Sequence, residues 1–539
     1  MATSSKDPAP APVAAKPSGG LRGAIEAALP KAQFGDQLTI LSGTGQNIAG
    51  LAVFVLASLG TNIFIARTQG ARSLAVVTLA TQLAFIGGAA TRFGMDMAAV
   101  RIVAIDVGKG ERGRVRGVVR QAVLVAALVS AVVAVVIFLG AGQLVDWFVN
   151  GGGNSWAFRA AAIALPFVAL CQVYLGGSRG LKIMRHTLYA YWIGQPVAWI
   201  GLLIAGWVFE EFRGGQLTVG WTVNAYALSW IIATLAAAFF WNRTTKDFGR
   251  AEPEPGQLGA LVRYGAPRAP AALLSQALFW TDFFVAARYV NKQELGVYAA
   301  SVRVSQALVL FLIAVNYMFS PFVADLHERG EREKLDGLYK ALTRWMLAGT
   351  IPILLLMLVV PGPILLVFGG NFESGTTALR ILLIGQLVNV AVGSVGFILI
   401  MVGRTGWDLA VYAGSFLLDV IVALILCPHL GTTGAAIAQA ITLAVSNGVR
   451  LWLVWRFVHI QPFNRYYFRL AIPAGVTFVA MSATHLVLRH AAWPVDLLGT
   501  GIVGAFVYFT MMLLAGLTPT EKGALMRLLG RNRSAPATP

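Results

Sequence analysis

Ionisable side chains interrupt several long apolar stretches of this sequence, and such groups are costly enough inside an apolar span to suggest a function. Arg92 and Asp96 lie four residues apart, so on a helix each can neutralise the other. Thr78 and Gln82 fall within roughly 80° of this pair when about 100° separates successive residues. The pattern predicts either a polar stripe whose arginine attracts an anionic head group, or a self-satisfied pair that packs two helices together.

A second stretch carries Arg268, Ser275 and Asp282 at intervals of seven residues, which places them on one face of a helix. The three residues extend over about 21 Å at about 1.5 Å per residue. Pro267 and Pro270 remove backbone donors and should bend the helix beside the arginine. This pattern is typical of a moving gate that contacts phosphate. The alternative is that Arg268, near the start of the span, extends its guanidinium to the aqueous interface.

The next stretch repeats the polar stripe. Tyr298, Ser301 and Ser305 share one helix face. Arg303 lies about 140° away from Tyr298, so it faces either another helix or the edge of a cavity. Further along, Asp419 lies in the middle of an apolar run, where it is either a proton or sodium site or a buried acid hydrogen-bonded to a neighbour.

Two other arginines, Arg159 and Arg450, lie toward the ends of apolar runs. Long basic side chains in such positions usually extend toward the membrane interface. We therefore expect both to reach the interface.

No pattern of catalytic residues accompanies these groups. None of the six histidines forms an HxxxH pair or a plausible triad with a nucleophile. The sequence has no phosphate loop of the GxxxxGK[ST] type, and Cys171 and Cys427 show no metal-binding spacing. The sequence predicts that the protein is not an enzyme and carries no cofactor or structural metal.

The elements that position these residues are membrane spans. Of the 539 residues, 57% are hydrophobic and only 12% are charged, whereas soluble chains carry about 25% charged residues. Apolar runs long enough to cross a bilayer occur near residues 38–66, 73–100, 121–141, 158–178, 187–209, 217–241, 259–286, 293–322, 345–368, 378–402, 408–427, 433–457, 468–488 and 496–516. We predict an all-α membrane protein with about 14 transmembrane helices.

The distribution of basic residues orients these spans. The even-numbered loops and the two tails hold 30 lysines and arginines, whereas the odd-numbered loops hold 7. Because cytoplasmic loops carry the excess of basic residues, both termini are expected in the cytoplasm. The net charge of +18 is explained in the same way, without nucleic-acid binding.

The two halves of the chain resemble each other. TNIFIAR at 61–67 matches TDFFVAAR at 281–288, an offset of 220 residues. Units with an even number of helices keep the same orientation in the membrane. We predict two parallel six-helix lobes around a central cavity plus two C-terminal helices, with these boundaries: a disordered or interfacial tail 1–36, an N-lobe 37–241, a cytoplasmic linker 242–258, a C-lobe 259–459, two added helices 460–516 and a tail 517–539.

Three stretches carry a family resemblance. They are Gly94-Met95-Asp96 with the following Arg101-Ile-Val-Ala, the run from Gly265-Ala-Pro267 to Gly296-Val-Tyr298, and CPHLGTTGAAIAQA at 427–440. These residues resemble the multidrug/oligosaccharidyl-lipid/polysaccharide (MOP) exporter superfamily, most closely the bacterial O-antigen type flippases. The resemblance implies two bundles that open alternately to either side of the membrane, with a polyprenyl-pyrophosphate-linked sugar as cargo.

On this basis we predict a flippase of the bacterial inner membrane that moves a polyprenyl-linked oligosaccharide from the inner to the outer leaflet. Membrane lipids and other polysaccharide-assembly proteins are its expected partners. Its candidate substrate-binding residues are Arg92, Arg268, Arg303, Gln82, Tyr298 and Ser275, and its candidates for proton or sodium coupling are Asp419, Asp96 and Asp282.

The alternatives differ in substrate and class. A peptidoglycan-precursor (lipid II) flippase also handles an anionic lipid, and a drug exporter of the same superfamily would prefer an acidic cavity. A membrane polymerase or glycosyltransferase would need sizeable outer loops, and the predicted outer loops are short.

Overall fold

The fold is described from a computed structural model, which defines the backbone of residues 34–149, 155–249, 256–309, 312–313, 323, 326–327 and 329–518, and side chains from residue 50 onward. Among these residues every regular element is a helix. The predicted tails 1–36 and 517–539 lie almost entirely outside the described residues.

The first half of the chain (residues 34–249) forms seven helices. They are α1 (Phe34–Thr91), α2 (Met95–Gly108), α3 (Val115–Leu139), α4 (Ala141–Val149), α5 (Ser155–Gly180), α6 (Arg185–Phe212) and α7 (Val219–Thr244). Within α6, residues Leu188–Gly194 form a widened π-helical turn.

The second half (residues 256–518) is more broken. Its helices are α8 (Gln257–Gly265), α9 (Ala269–Ala277), α10 (Thr281–Ala286), α11 (Lys292–Gln306), α12 (Arg332–Val359), α13 (Pro361–Leu366), α14 (Thr376–Val392), α15 (Val395–Met401), α16 (Thr405–Val458), α17 (Arg465–Phe468), α18 (Ala471–Leu488) and α19 (Trp493–Met511). Short 3₁₀ turns precede α3, α9 and α14, and a π-helical turn follows α19.

Ten of these helices are long and apolar enough to cross a membrane. Two of them, α1 and α16, contain a glycine with non-helical backbone, Gly70 and Gly431, and each therefore consists of two arms. The predicted spans near 259–286 and 293–322 contain only short helices among the described residues. The count of fourteen spans stays a prediction, while the all-helical membrane architecture is confirmed.

Small residues allow α5 to pack at the centre of the first half. Ala157, Ala160, Ala161 and Ala164 are all buried, and α5 contacts α1, α2, α3 and α7. Small residues let helix backbones approach closely, which is how helices associate in a bilayer. The hydrophobic core continues from α1 and α5 through α11 to α16, so the two halves share one core.

The two halves touch at two places where only a glycine fits. A Cβ on Gly94 would lie 2.1 Å from the carbonyl oxygen of Gly265, and a Cβ on Gly296 would lie 1.9 Å from that of Ala71. We call the Gly94–Gly265 pair the inner contact and the Ala71–Gly296 pair the outer contact, following the predicted orientation. Arg67 adds to the outer contact by donating to the carbonyl oxygens of Leu366 and Val367 at 2.8 and 2.9 Å.

Local sequence explains how α11, which carries two candidate site residues, begins. The side-chain oxygen of Asn291 accepts a hydrogen bond from the backbone N–H of Glu294 at 2.9 Å, and its amide donates to the Glu294 carboxylate at 2.8 Å. This reciprocal cap satisfies donors that the first turn of a helix leaves free. It fixes the first residue of α11 and hence the directions of Tyr298 and Arg303.

Candidate functional site

Three helices of the second half bring buried oxygen atoms together in what we call the carboxyl cluster: Asp282 on α10, Tyr298 on α11, and Asp419 and Thr442 on the two arms of α16. Asp282 and Asp419 are completely buried. The hydroxyl of Tyr298 donates to Oδ2 of Asp282. The hydroxyl of Thr442 donates to Oδ1 of Asp419 at 3.3 Å.

Each acid of the carboxyl cluster keeps one oxygen without a partner. Oδ1 of Asp282 and Oδ2 of Asp419 are buried and accept no hydrogen bond from any described residue. The two carboxyl groups lie within electrostatic range of each other. Two buried carboxylates with no basic partner are unfavourable, so the arrangement favours a bound proton or a hard cation held by oxygen ligands.

Arg303 lies on the same helix as Tyr298 but faces the other half of the molecule. Its guanidinium carbon lies 4.5 Å from the ring centroid of Trp280, and the guanidinium is within electrostatic range of Tyr226 on α7. Its Nε is buried without a hydrogen-bond partner. No acidic partner is found for Arg303 among the described residues, so its charge faces the interface between the halves uncompensated.

An aromatic cluster of the first half surrounds the tyrosine that Arg303 approaches. The ring centroids of Trp199 and Tyr226 are 4.9 Å apart, and those of Tyr226 and Trp230 are 6.2 Å apart. The hydroxyl of Tyr226 donates to the backbone oxygen of Thr81 at 3.4 Å. These residues are not among the candidates that the sequence predicts. The high frequency of tyrosine and tryptophan in residues 189–199 and 226–230 is the sequence feature that could have indicated this cluster.

Gln82 and Asp96 are both buried, but the predicted continuous stripe on one helix is wrong. The helix ends at Thr91, and the chain turns through Phe93 and Gly94 with φ of 52° and 69°. Arg92 therefore lies in a turn, where its Nη1 is 3.6 Å from Oδ2 of Asp96. The pair is present, at the break between α1 and α2 rather than inside one helix.

Arg268 also lies at a break, and it is exposed in the 3₁₀ turn before α9. Its guanidinium carbon lies 4.8 Å from the ring centroid of Tyr264, and that of Arg101 lies 4.6 Å from the same ring. Arg101 was not among the candidate site residues. The inner contact brings the Arg92 and Arg268 segments together, because Gly94 and Gly265 meet there.

The prediction that Arg268, Ser275 and Asp282 share one helix face is wrong. The helix is interrupted at residues 266–268, where Pro267 cannot continue it, and again between α9 and α10. The hydroxyl of Ser275 donates to the carbonyl oxygen of Ala272 at 3.0 Å. Only Asp282 of the three reaches the carboxyl cluster.

Arg450 does not extend to the interface as expected. It is buried, with Nε 3.2 Å from Oδ1 of Asp408 and Nη1 2.6 Å from the Ser446 hydroxyl. Its guanidinium carbon lies 4.5 Å from the ring centroid of Tyr412. The residue instead joins the two arms of α16.

Known proteins share this architecture. The MatE family model matches residues 48–203 and 267–425, which is more than half of the chain. The two matches begin 219 residues apart, close to the offset of the internal repeat. The chain is also similar to the probable low-salt glycan biosynthesis flippase Agl15 of Haloferax volcanii, with 23% identity over 325 residues. That alignment covers 58% of this chain and 64% of the relative, slightly less than two thirds of the relative's length.

Solved structures show the same fold at low identity. An inward-facing multidrug resistance transporter of the MATE family has a TM-score of 0.65 and 16% identity, covering 76% of this chain and 95% of its own. The lipid II flippase MurJ in an inward closed conformation has a TM-score of 0.65 and 13% identity. The alignment covers 90% of this chain and 99% of MurJ. A MOP superfamily transporter from Pyrococcus furiosus has a TM-score of 0.54 and 15% identity. The alignment covers 78% of this chain and 95% of that transporter. Because the family model matches twice and covers most of both halves, this multi-pass membrane protein belongs to the MatE family.

Proposed function

We propose that this protein is a secondary transporter that flips a polyprenyl-pyrophosphate-linked oligosaccharide from the inner to the outer leaflet by alternating access. The observation that carries the proposal is Arg303, a cation at the interface of the two halves without an acidic partner among the described residues. Holding an arginine at bilayer depth costs about 2.5–3.5 kcal/mol or more. A ligand with negative charge is the simplest compensation for that cost.

The chemistry of the guanidinium supports a phosphate-bearing cargo. Its planar donor fork matches two phosphate oxygens at once, which an ammonium group does not reproduce. The aromatic side chains opposite Arg303 offer flat apolar surfaces beside the charge. A drug exporter for organic cations would instead be expected to place acidic groups at this interface.

The carboxyl cluster supplies the second requirement, a site for the driving ion. It lies on α10, α11 and α16, and α11 also carries Arg303, so ion binding and substrate binding share a helix. We propose proton or sodium coupling through Asp282 and Asp419. Asp96, already paired with Arg92, is the weaker candidate for this role.

We place the protein in a bacterial inner membrane with both termini in the cytoplasm, where polysaccharide-assembly proteins would supply and receive its cargo. The orientation can be tested by cysteine labelling from outside sealed cells. A cysteine at Lys334, whose side chain is 71% exposed, should stay unlabelled, whereas one at the exposed Arg213 should react. The reverse pattern would overturn the orientation.

The cargo can be tested in proteoliposomes with three substrates: a polyprenyl-pyrophosphate-linked oligosaccharide, lipid II and a hydrophobic organic cation. We expect Arg303→Ala to slow translocation of the oligosaccharide lipid at least tenfold, and Arg303→Lys to restore little of it. Arg159→Ala is the matched control, because the guanidinium carbon of Arg159 also lies near an aromatic ring, 5.6 Å from the ring centroid of Phe138, with both residues in the first half. Faster transport of lipid II would favour the peptidoglycan alternative, and transport of the cation alone would refute an anionic cargo.

A further inference from the structure

A separate pocket of about 640 Å³ lies beside the first turns of α3, far along the chain from Arg303 and from the carboxyl cluster. Its walls come from α3, α5 and α7 and include Arg116, Arg120, Tyr174, Trp241 and Asn242. The charge distribution predicts that this end of α3 faces the cytoplasm. Tyrosine and tryptophan are enriched at the depth of lipid head groups, which is the depth that such a pocket would have.

The polar wall of the pocket is cationic. Arg116 and Arg120 are four residues apart on α3 and both line the pocket. Neither forms an ion pair with an acid among the described residues. The acidic side chain just before them, Glu111, is already bound to Arg114 at 2.8 Å. The pocket therefore presents two free guanidinium groups, the donors best suited to phosphate oxygens.

An apolar surface begins where the cationic wall ends. Leu124 lines the pocket, and further along α3 the exposed side chains of Leu128, Val132 and Leu139 continue away from it. The exposed fractions of Leu128, Val132 and Leu139 lie between 61% and 74%. A ligand that fits both surfaces has a phosphate at one end and long acyl chains at the other. A soluble phosphate compound would use only the first surface, and a protein partner would need to enter the bilayer.

We propose that this pocket binds the phosphate group of an anionic phospholipid of the inner leaflet, whose acyl chains lie along α3. Arg116 and Arg120 hold the phosphate, and Trp241 and Tyr174 border it at the head-group depth. Juxtamembrane arginines gain affinity from the negative charge of such lipids. The proposal does not depend on the cargo of the transporter, because the pocket contains none of the residues assigned to transport.

The test uses the full chain in detergent, with native mass spectrometry during titration of phosphatidylglycerol or phosphatidylcholine. We expect phosphatidylglycerol to be retained in preference to phosphatidylcholine. The Arg116→Gln/Arg120→Gln variant should bind phosphatidylglycerol roughly thirtyfold more weakly. The matched control is Lys182→Gln/Arg185→Gln, which removes the same charge from two exposed positions just before and at the start of α6 and should bind as the wild type does.

Three results would overturn the proposal: equal loss of binding in both double variants, equal retention of the two phospholipids, or displacement of phosphatidylglycerol by a polyprenyl phosphate at lower concentration. The last result would make the pocket a substrate site. If the double variant does not fold, Gly117→Met keeps both arginines and fills the pocket instead. Unchanged lipid binding in that folded variant would likewise refute the site.

Discussion

At the scale of single residues, two kinds of ionisable group can be distinguished inside the apolar stretches of the second half. Arg450 and Asp408 neutralise each other, whereas Asp282, Asp419 and Arg303 have no partner of opposite charge among the described residues. The first kind stabilises the helices that it joins. The second kind is unfavourable without a ligand, and this difference separates a structural role from a functional one.

Replacement of either acid in the carboxyl cluster should uncouple transport from its driving gradient. Asp419→Asn and Asp282→Asn keep the size and hydrogen-bonding capacity of the side chain but remove its negative charge. We expect gradient-driven translocation in proteoliposomes to fall at least a hundredfold, with binding of the lipid-linked substrate retained. Asp146→Asn, at an exposed acid of α4, serves as the control. Wild-type accumulation in both cluster variants would reduce these acids to structural residues.

The ion pair of α16 should behave differently. Arg450→Leu leaves Asp408 buried without a partner, which costs about 3–5 kcal/mol of stability in soluble proteins. The double variant Asp408→Leu/Arg450→Leu removes both charges and should recover most of that loss. Thermal unfolding in detergent would measure the difference. A double variant as unstable as the single one would show that Arg450 contributes through its ring contact with Tyr412 rather than through its charge.

Sequence reasoning could find most of these residues but not their partners. Asp282, Tyr298 and Asp419 stand out because polar groups in apolar runs are costly. Whether these residues contact one another depends on how α10, α11 and α16 pack. The spacing of residues within one helix gives no information on that packing. For the same reason the partner of Arg450 was missed, since Asp408 lies 42 residues earlier in the chain.

At the scale of elements, the candidate cavity helices are broken where they meet. The turn at 92–94 and the turn at 266–268 lie against each other through Gly94 and Gly265. Pro267 predicted the second break, because proline cannot continue the hydrogen bonding of a helix. The first break lies in a run with no proline, and it coincides with the close approach of the second half at Gly94. Helix periodicity alone could not predict it.

The inner contact can be tested at Gly265, whose backbone is otherwise ordinary. A Cβ there would lie 2.9 Å from the carbonyl oxygen of Phe93 and 3.1 Å from the carbonyl carbon of Gly94, so Gly265→Ala should hold the two turns apart. We expect the inner end to open more often and transport to slow about tenfold, because the proposed alternating access needs this end to close. Gly259→Ala lies in the same helix with open space around it and is the matched control. Distances between spin labels on α2 and α8 would report the separation, and unchanged distances would contradict this role.

At the scale of the whole molecule, composition and charge predicted the all-helical membrane architecture, and the internal repeat agrees with the two matches to one family model. These two features can be predicted from the sequence because each depends on the hydropathy, charge or similarity of many residues together. The number of continuous helices does not, since it depends on local interruptions: Gly70 and Gly431 each separate two helical arms, and Pro267 lies in the turn that interrupts another predicted span. The two halves touch at both the inner and the outer contact.

Arg67 adds two hydrogen bonds to the outer contact, because it donates to two backbone oxygens at the end of α13. Each such hydrogen bond contributes about 0.5–1.5 kcal/mol, so Arg67→Ala should shift the balance toward the outward-open form by roughly tenfold. A single cysteine at Val297, which is buried beside the outer contact, would report opening through its labelling rate in a chain lacking Cys171 and Cys427. Arg72→Ala removes a neighbouring exposed arginine and should leave the rate unchanged. Equal rates in the two variants would mean that the glycine contact alone closes the outer end, and Gly296→Ala should then be the variant that opens it.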